Sequence, residues 1–220
     1  MDGNGRWAKK RFLPRIAGHK KGLDSLGVMI KLAITYNITT ATLYAFSTEN
    51  WNRPSEEING LMDLFSDSIN SQTDKLITNN IRVRIFGDIS IFTNELQAKI
   101  KTLIKKSSKN TGLKLNIALN YGARSEILMA VNKATKEKSG SLLEKDLTDN
   151  LYTRDMPDVD LLIRTGGQRR LSNFLLWQVA YSELYFIDTL WPDFSEKDFV
   201  NALYFFQKTE RKFGNLKGNK

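Results

Sequence analysis

The chain has no cysteine, which excludes a disulfide framework and any thiolate metal site and leaves the redox compartment open. It has one histidine, His19, so a metal site built from several histidines is excluded as well. Only 4 of the 220 residues are proline and 41% are hydrophobic, a balance that belongs to a globular chain rather than a disordered one. No apolar run approaches the roughly 20 residues that span a bilayer. No apolar segment of a secretory signal opens the chain, so a cytoplasmic location is expected. Familiar nucleotide and hydrolase signatures are missing too: there is no Gly-x-x-x-x-Gly-Lys-Ser/Thr loop, no Gly-x-Gly-x-x-Gly after a strand and no Gly-x-Ser-x-Gly elbow. Asp2-Gly3-Asn4-Gly5 opens like a calcium-binding EF-hand loop but lacks the third oxygen ligand and the closing glutamate. Acidic residues are outnumbered, 24 against 33 basic ones, and the net charge of +9 asks for an anionic partner. Nucleic acid, a membrane surface and a phosphorylated small molecule all fit that charge.

What is present begins with Met1-Asp2-Gly3-Asn4-Gly5-Arg6-Trp7, running on through Arg15 to Gly18-His19. Glycine has no Cβ and permits left-handed backbone, so alternating glycines suit a loop that comes close to a ligand. Asp2, Asn4, Arg6, Arg15 and His19 add a carboxylate, an amide, two guanidiniums and an imidazole, a set that fits a metal-chelated diphosphate. Taken alone, the same stretch would serve equally as a loose basic terminus.

Downstream, helical and strand periods alternate. Apolar residues recur at helical spacing from Gly22 to about Tyr36, and Thr40–Phe46 reads as a buried strand. A loop, 47–54, leads to a helix from Ser55 to about Asn79 with Glu56 and Glu57 in its first turn, where the dipole favours carboxylates. Strand 81–86 is followed by helix 92–106, strand 113–119 by helix 124–138, and a linker-like 138–141 by a helical piece, 143–151. Strand 158–164, a short strand 184–187 and helix 196–208 complete the order. This alternation predicts an α/β fold: an open, mostly parallel central sheet with helices on both faces, in a single domain over residues 1–220. Ligands of such sheets bind at the carboxyl ends of the strands. Polar and glycine-rich clusters stand at those ends, at Phe46-Ser47, Phe86-Gly87-Asp88, Asn120-Tyr121-Gly122 and Arg164-Thr165-Gly166, and are expected to line one crevice with the N-terminal loop.

Arg164-Thr165-Gly166-Gly167-Gln168-Arg169-Arg170-Leu171-Ser172 is a second concentrated oxyanion receptor, because guanidinium pairs with phosphate through two parallel hydrogen bonds. A surface turn making caps and ion pairs is its alternative reading. Ser47, Asn50, Trp51 and Arg53 form a third cluster, in which Trp51 could equally cover core. Glu183 could ligate a metal or stand solvated.

Together these segments, with Tyr44-Ala45-Phe46-Ser47-Thr48-Glu49-Asn50-Trp51-Asn52-Arg53-Pro54, Ser172-Asn173-Phe174-Leu175-Leu176-Trp177-Gln178, Glu183-Leu184-Tyr185-Phe186 and Trp191-Pro192-Asp193-Phe194, resemble the cis-prenyltransferase family over essentially the whole chain and in the family's order. The metal signature of the all-helical trans-prenyltransferases, Asp-Asp-x-x-Asp, is absent. The resemblance implies Mg²⁺-dependent addition of isopentenyl diphosphate units, with cis double bonds, onto farnesyl diphosphate. The expected product is undecaprenyl diphosphate, precursor of a cell-wall lipid carrier, with a cis-polyprenyl diphosphate of different length as the alternative.

By position, the resemblance makes Asp2 a catalytic residue and Mg²⁺ ligand, with Gly3, Asn4, Gly5, Arg6, Trp7, Arg15 and His19 around the primer's diphosphate. It makes Arg164, Arg170 and Ser172 hold the diphosphate of isopentenyl diphosphate. Glu183 completes the Mg²⁺ site from the partner of a homodimer. Ser47 and Asn50 lie near the reacting carbons, and Phe46, Trp51, Arg53 and Glu57 support substrate binding. Ile58, Leu61, Met62 and Phe65, with residues of 113–119, are expected to wall an apolar tunnel for the growing chain.

Three departures stand out. The family's short apolar strand before Met-Asp-Gly-Asn-Gly is not part of this sequence, so the Asp2 loop is expected to be poorly anchored. Gln168 stands where glutamate is common. In the tail Arg211-Lys212-Phe213-Gly214, lysine replaces the usual arginine and loses its bidentate fork. A lipid product and a basic surface allow peripheral membrane contact, though no amphipathic stretch marks a docking face. A nucleic-acid partner is not expected, because the arginines cluster with glycines at strand ends rather than along a stripe of stacking aromatics.

Overall fold

The computed structural model of the chain describes residues 1–211. Strands β1 (Thr40–Ser47), β2 (Arg82–Phe86) and β3 (Lys114–Tyr121) form a parallel sheet in the order β1-β3-β2. Strands β4 (Leu161–Arg164) and β5 (Glu183–Phe186) form a second parallel pair. The α/β class and the parallel pairing are as the alternation predicts. The expected single sheet is divided in two among the described residues, and β1 and β4 face one shared cavity.

The helices are α1 (Asn4–Lys9), α2 (Arg15–Thr35), α3 (Ser55–Thr78), α4 (Asn94–Ser107), α5 (Ala123–Glu137), α6 (Glu144–Thr148) and α7 (Glu196–Lys208). On one face of the three-stranded sheet, Met29, Leu32 and Ala33 of α2 pack with Leu43, Val83, Leu115, Leu103 and Phe199. Leu61 of α3 joins Leu96, Ile100 and Leu119 in an adjoining cluster. On the opposite face, Phe86 and Ala118 meet Ala123, Leu162, Leu175 and Val179.

Two boundaries differ from the sequence reading for one reason. The N-terminal stretch is helical in α1, and α2 starts at Arg15 rather than at Gly22. Gly18 and Gly22 look like breakers but are contact points: a Cβ on Gly18 would lie 2.0 Å from the carbonyl oxygen of Asn4, and one on Gly22 would lie 2.6 Å from Asn4 Oδ1. α1 is laid directly on α2, and the glycines permit that approach. Smaller differences are a shorter α6 and a β4 that starts at Leu161 rather than at Asp158.

At the carboxyl end of β1 the pairing with β3 slips twice, between Tyr44 and Phe46 and between Phe46 and Ser47. The extra residue of a bulge re-aims the side chains that follow it. Phe46 therefore pairs with Leu119 and points into the α3 and α4 cluster, while Tyr44 two residues earlier packs on the other face. On β3 the second slip falls at Asn120, whose φ is 47°.

Candidate active site

The N-terminal loop is anchored, contrary to expectation. The backbone N–H of Asp2 donates to Thr165 Oγ1 at 2.9 Å, and the Thr165 hydroxyl donates back to the Asp2 carbonyl at 2.8 Å. The same carbonyl accepts the Trp191 N–H at 3.0 Å. Thr165 is buried at the end of β4, so residues 163 positions apart hold each other away from water. Gly3 makes the bend into α1 at φ 113°, a value that disfavours any side chain.

The bend turns the Asp2 carboxylate toward two arginines. Asp2 Oδ2 is 3.1 Å from an Arg164 nitrogen, and Oδ1 is 3.3 Å from one of Arg6. Arg6 in turn donates to the Gly166 carbonyl at 2.6 Å. Burial pushes the Asp2 carboxyl up, but the Arg164 hydrogen bond and the charges of Arg6 and Arg164 outweigh it and hold the group below the usual carboxylate range. The two receptors read separately from sequence are thus joined through Asp2.

In the second receptor Arg164 donates to Ser172 Oγ at 2.8 Å and to the Arg170 carbonyl. Arg170 donates to Gln168 Oε1 at 2.6 Å, so Gln168 orients that arginine. Gly166, Gly167, Ser172 and Asn173 all have positive φ, which coils the segment back on itself. Sequence reasoning passed over Asn173. Its side chain donates to Glu49 at 2.8 Å and accepts the Arg124 N–H at 2.9 Å, fixing Ser172 beside it.

The third cluster divides into residues that face the cavity and residues that hold them. Asn50 Oδ1 accepts the Ser47 N–H at 3.1 Å, closing the turn after β1. Ser47, Asn50 and Arg53 line the cavity. Phe46 and Trp51 do not: Phe46 is buried, with its ring edge-on to Trp51 at 5.2 Å, and Trp51 donates to Asn120 Oδ1 at 2.8 Å. Trp7 is also structural, donating to Asp193 at 2.7 Å. Glu57 stands behind the cavity wall as an anchor, accepting from Arg15 at 2.9 Å and from Arg53 at 3.0 Å. Burial opposes its ionisation, yet the Arg15 hydrogen bond and the Arg53 charge leave its carboxyl lowered. His19 Nε2 lies 3.5 Å from Glu57 without a hydrogen bond's geometry, and its pKa is lowered, by burial first and then by Arg53.

Asp2, Gly3, Asn4, Gly5, Arg6, Arg15, His19, Arg164, Arg170 and Ser172 all border one cavity of about 890 Å³, whose walls continue into apolar side chains. Of the predicted tunnel wall, Leu61 and Phe65 line it, and so do Ile117 and Leu119 of β3. Ile58 and Met62 do not; the lining face of α3 runs through Leu61, Leu64, Phe65, Ser68 and Ile69. The helical stripe is wider than the part of it that meets the cavity, and the rest packs on neighbours.

Glu183 is not brought to Asp2 within the chain. It opens β5 opposite Leu161, whereas Arg164, the neighbour of Asp2, pairs with Phe186 at the other end. Among the described residues no three His, Cys, Asp or Glu side chains form a metal cluster. The donor set still suits Mg²⁺, which is commonly held by one or two carboxylates together with substrate phosphates and water. Asp2 supplies such a carboxylate at the cavity edge. Arg211 is tied to Asp160 and to the Tyr181 carbonyl; the rest of its tail motif, from Lys212, lies outside the described residues.

Two arginine-rich clusters border one cavity with apolar walls in a parallel α/β fold, an arrangement suited to diphosphates with hydrocarbon tails. The family described as "Putative undecaprenyl diphosphate synthase" matches residues 1–214, and the chain belongs to this family of cis-prenyltransferases. A ditrans,polycis-undecaprenyl-diphosphate synthase ((2E,6E)-farnesyl-diphosphate specific) of Photorhabdus laumondii is 48% identical over 220 residues, covering 97% of this chain and 87% of that protein. Lavandulyl diphosphate synthase from Lavandula x intermedia, solved with dimethylallyl diphosphate, superposes with a TM-score of 0.93 at 34% identity, covering 98% of this chain and 95% of that one. A probable undecaprenyl diphosphate synthase from Campylobacter jejuni gives a TM-score of 0.81 at 38% identity, over 89% of this chain and 93% of that one.

Proposed function

We propose that the chain, acting as one catalytic unit, condenses isopentenyl diphosphate in cis onto farnesyl diphosphate and extends it to undecaprenyl diphosphate. The observation that carries this reading is the junction at Asp2. One carboxylate meets Arg6 of the first receptor and Arg164 of the second, so two diphosphates would be held side by side at the edge of an apolar cavity. Holding both reactants removes the entropic cost of their encounter.

Arg6, Arg15 and the backbone about Gly3 and Gly5 would bind the primer's diphosphate, with Glu57 keeping Arg15 in place. Arg164, Arg170 and Ser172 would bind the diphosphate of isopentenyl diphosphate. The allylic C–O bond breaks, its electron pair leaving with the diphosphate. The double bond of isopentenyl diphosphate supplies the pair for the new C–C bond, and loss of one proton restores a double bond. Arginines aimed at the departing oxygens stabilise the charge that develops there. Ser47 and Asn50 line the same cavity and would orient the reacting carbons, while Leu61, Phe65, Ile117 and Leu119 would exclude water from the growing tail.

Mg²⁺ would be held by Asp2, and when bound it supplies charge neutralisation to the leaving diphosphate. The position of Glu183 at the far end of β5 favours its acting from a second copy of the chain, in a homodimer. Among the described residues no helix is long and apolar enough to cross a membrane.

The test is incorporation of labelled isopentenyl diphosphate onto farnesyl diphosphate with product length resolved. Long-chain product that is lost with chelator and with Asp2→Ala is expected. Absence of product at saturating Mg²⁺, or product indifferent to Asp2→Ala, overturns the reading.

A further inference from the structure

The turn between α1 and α2 carries the most exposed apolar side chain of the described chain. Phe12 is 99% exposed, and Leu13 beside it 44%. Phe12 also sits at φ 57°, a left-handed conformation in which a bulky aromatic residue is a rare outlier. The tip is nevertheless held. Arg11 N–H and Leu13 N–H both donate to the Ala8 carbonyl, at 2.9 and 3.0 Å, and Phe12 N–H donates to Lys9 at 3.2 Å. Pro14 then caps α2. A strained backbone thus presents an aromatic ring wholly to solvent.

Lys9 and Lys10, at the base of this tip, are exposed, and neither forms an ion pair among the described residues. Arg11 is engaged, its guanidinium over the Trp7 ring at 4.1 Å and 3.5 Å from Asp193. Single exposed apolar residues are ordinary. An apolar pair on a fixed turn, flanked by unpaired lysines on a chain of net charge +9, has the chemistry of an interfacial wedge for an anionic bilayer. Three residues past Phe12, Arg15 lines the cavity, so the tip is joined by a short stretch of chain to the cavity wall.

We propose that the α1–α2 turn is the membrane-docking element of this protein. Phe12 and Leu13 enter the head-group boundary of an anionic bilayer, and Lys9 and Lys10 meet its phosphates. The purpose of the docking rests on the proposed function, since both primer and product carry hydrocarbon tails; the docking itself is measured without turnover.

Flotation of the full chain with vesicles tests it. Binding to phosphatidylcholine–phosphatidylglycerol vesicles and little to phosphatidylcholine alone is expected. Phe12→Ser, and separately Lys9→Glu with Lys10→Glu, should each weaken binding about tenfold. Phe12→Gly should do the same, and glycine takes the positive φ without strain, so misfolding would not explain its loss. The emission of Phe12→Trp should shift to the blue on adding anionic vesicles. Turnover in detergent should be unchanged in all of these variants, and its absence from every sample would count against the proposed function alone. Wild-type protein that stays with the solution, or variants that float equally well, overturns the docking proposal. So does an oligomer that Phe12→Gly dissociates, because the tip would then be covered by a second copy.

Discussion

Asp2 and Thr165 exchange two hydrogen bonds across the whole length of the described fold: the Asp2 N–H donates to the threonine hydroxyl at 2.9 Å, and that hydroxyl donates to the Asp2 carbonyl at 2.8 Å. Thr165 borders the cavity at the end of β4, and it sets where the Asp2 carboxylate stands between Arg6 and Arg164. Thr165→Val keeps the shape and removes both bonds, leaving a buried N–H without its partner. A stability loss of about 1–3 kcal/mol is expected. A fall in kcat/KM of about 10- to 100-fold is also expected, from misplacement of the carboxylate. Thr165→Ser, which keeps the hydroxyl, should recover most of both. Denaturant unfolding and steady-state kinetics on the pair decide it.

Gly18 and Gly27 lie on the same helix and should respond oppositely to alanine. At Gly18 the new Cβ would lie 2.0 Å from the Asn4 carbonyl oxygen, while at Gly27 nothing lies within 4 Å. Gly18→Ala must push α1 off α2, a loss of about 1–3 kcal/mol or more, and it should weaken farnesyl diphosphate binding as the loop moves. Gly27→Ala should stabilise by up to about 1 kcal/mol through helix propensity. At about 2–4 °C per kcal/mol for a chain of this size, thermal melts separate the two.

Leu61 lines the cavity and Ile58, one turn earlier on α3, does not. Leu61→Trp should shorten the products, while Ile58→Trp should leave the chain-length distribution as it is. An unchanged distribution with Leu61→Trp would show that the growing tail does not pass α3.

The partly buried His19 imidazole has a pKa below its ordinary value of 6.5. The fold therefore favours the neutral ring, and the unfolded chain binds a proton more readily. Stability from this group is complete above about 6.5 and declines as pH falls from there toward the lowered folded-state value. Urea midpoints measured downward from neutral pH should fall less steeply in His19→Gln than in the wild type. Parallel slopes would mean that His19 is not the group responsible.

Much of the architecture was legible because it is local. Helix α7 has the bounds that its period predicts, and α3 begins at Ser55 as read. The chemistry of both receptors was visible as arginine and glycine at strand ends. Phe46 and Trp51 were expected to support substrate binding, with core cover the other reading of Trp51; both stand off the cavity wall, and the motif containing them gives no sign of which residues turn inward. Asn120 and Thr165 were read as members of strand-end clusters lining the crevice; Thr165 does border the cavity, whereas Asn120, with Gly87 and Asp88, stands off it. Glu49 and Asn173 were read only as members of a motif, and their partners alone mark them.

By itself the sequence determined the α/β class, the order of elements, the positive charge gathered at the ends of the strands and the family to which the chain belongs. These follow from side-chain period, backbone freedom at glycine and residue type, which act over a few positions. The tertiary structure decided the rest: that α1 lies on α2 through Gly18 and Gly22, that Asp2 is clasped by Thr165, and that Glu183 stands at the wrong end of its strand to reach Asp2. It also decided that a bulge turns Phe46 away from the face of Tyr44. Each of these depends on contacts between residues far apart in the chain, where the partner's position, and not the local pattern, sets which atoms meet.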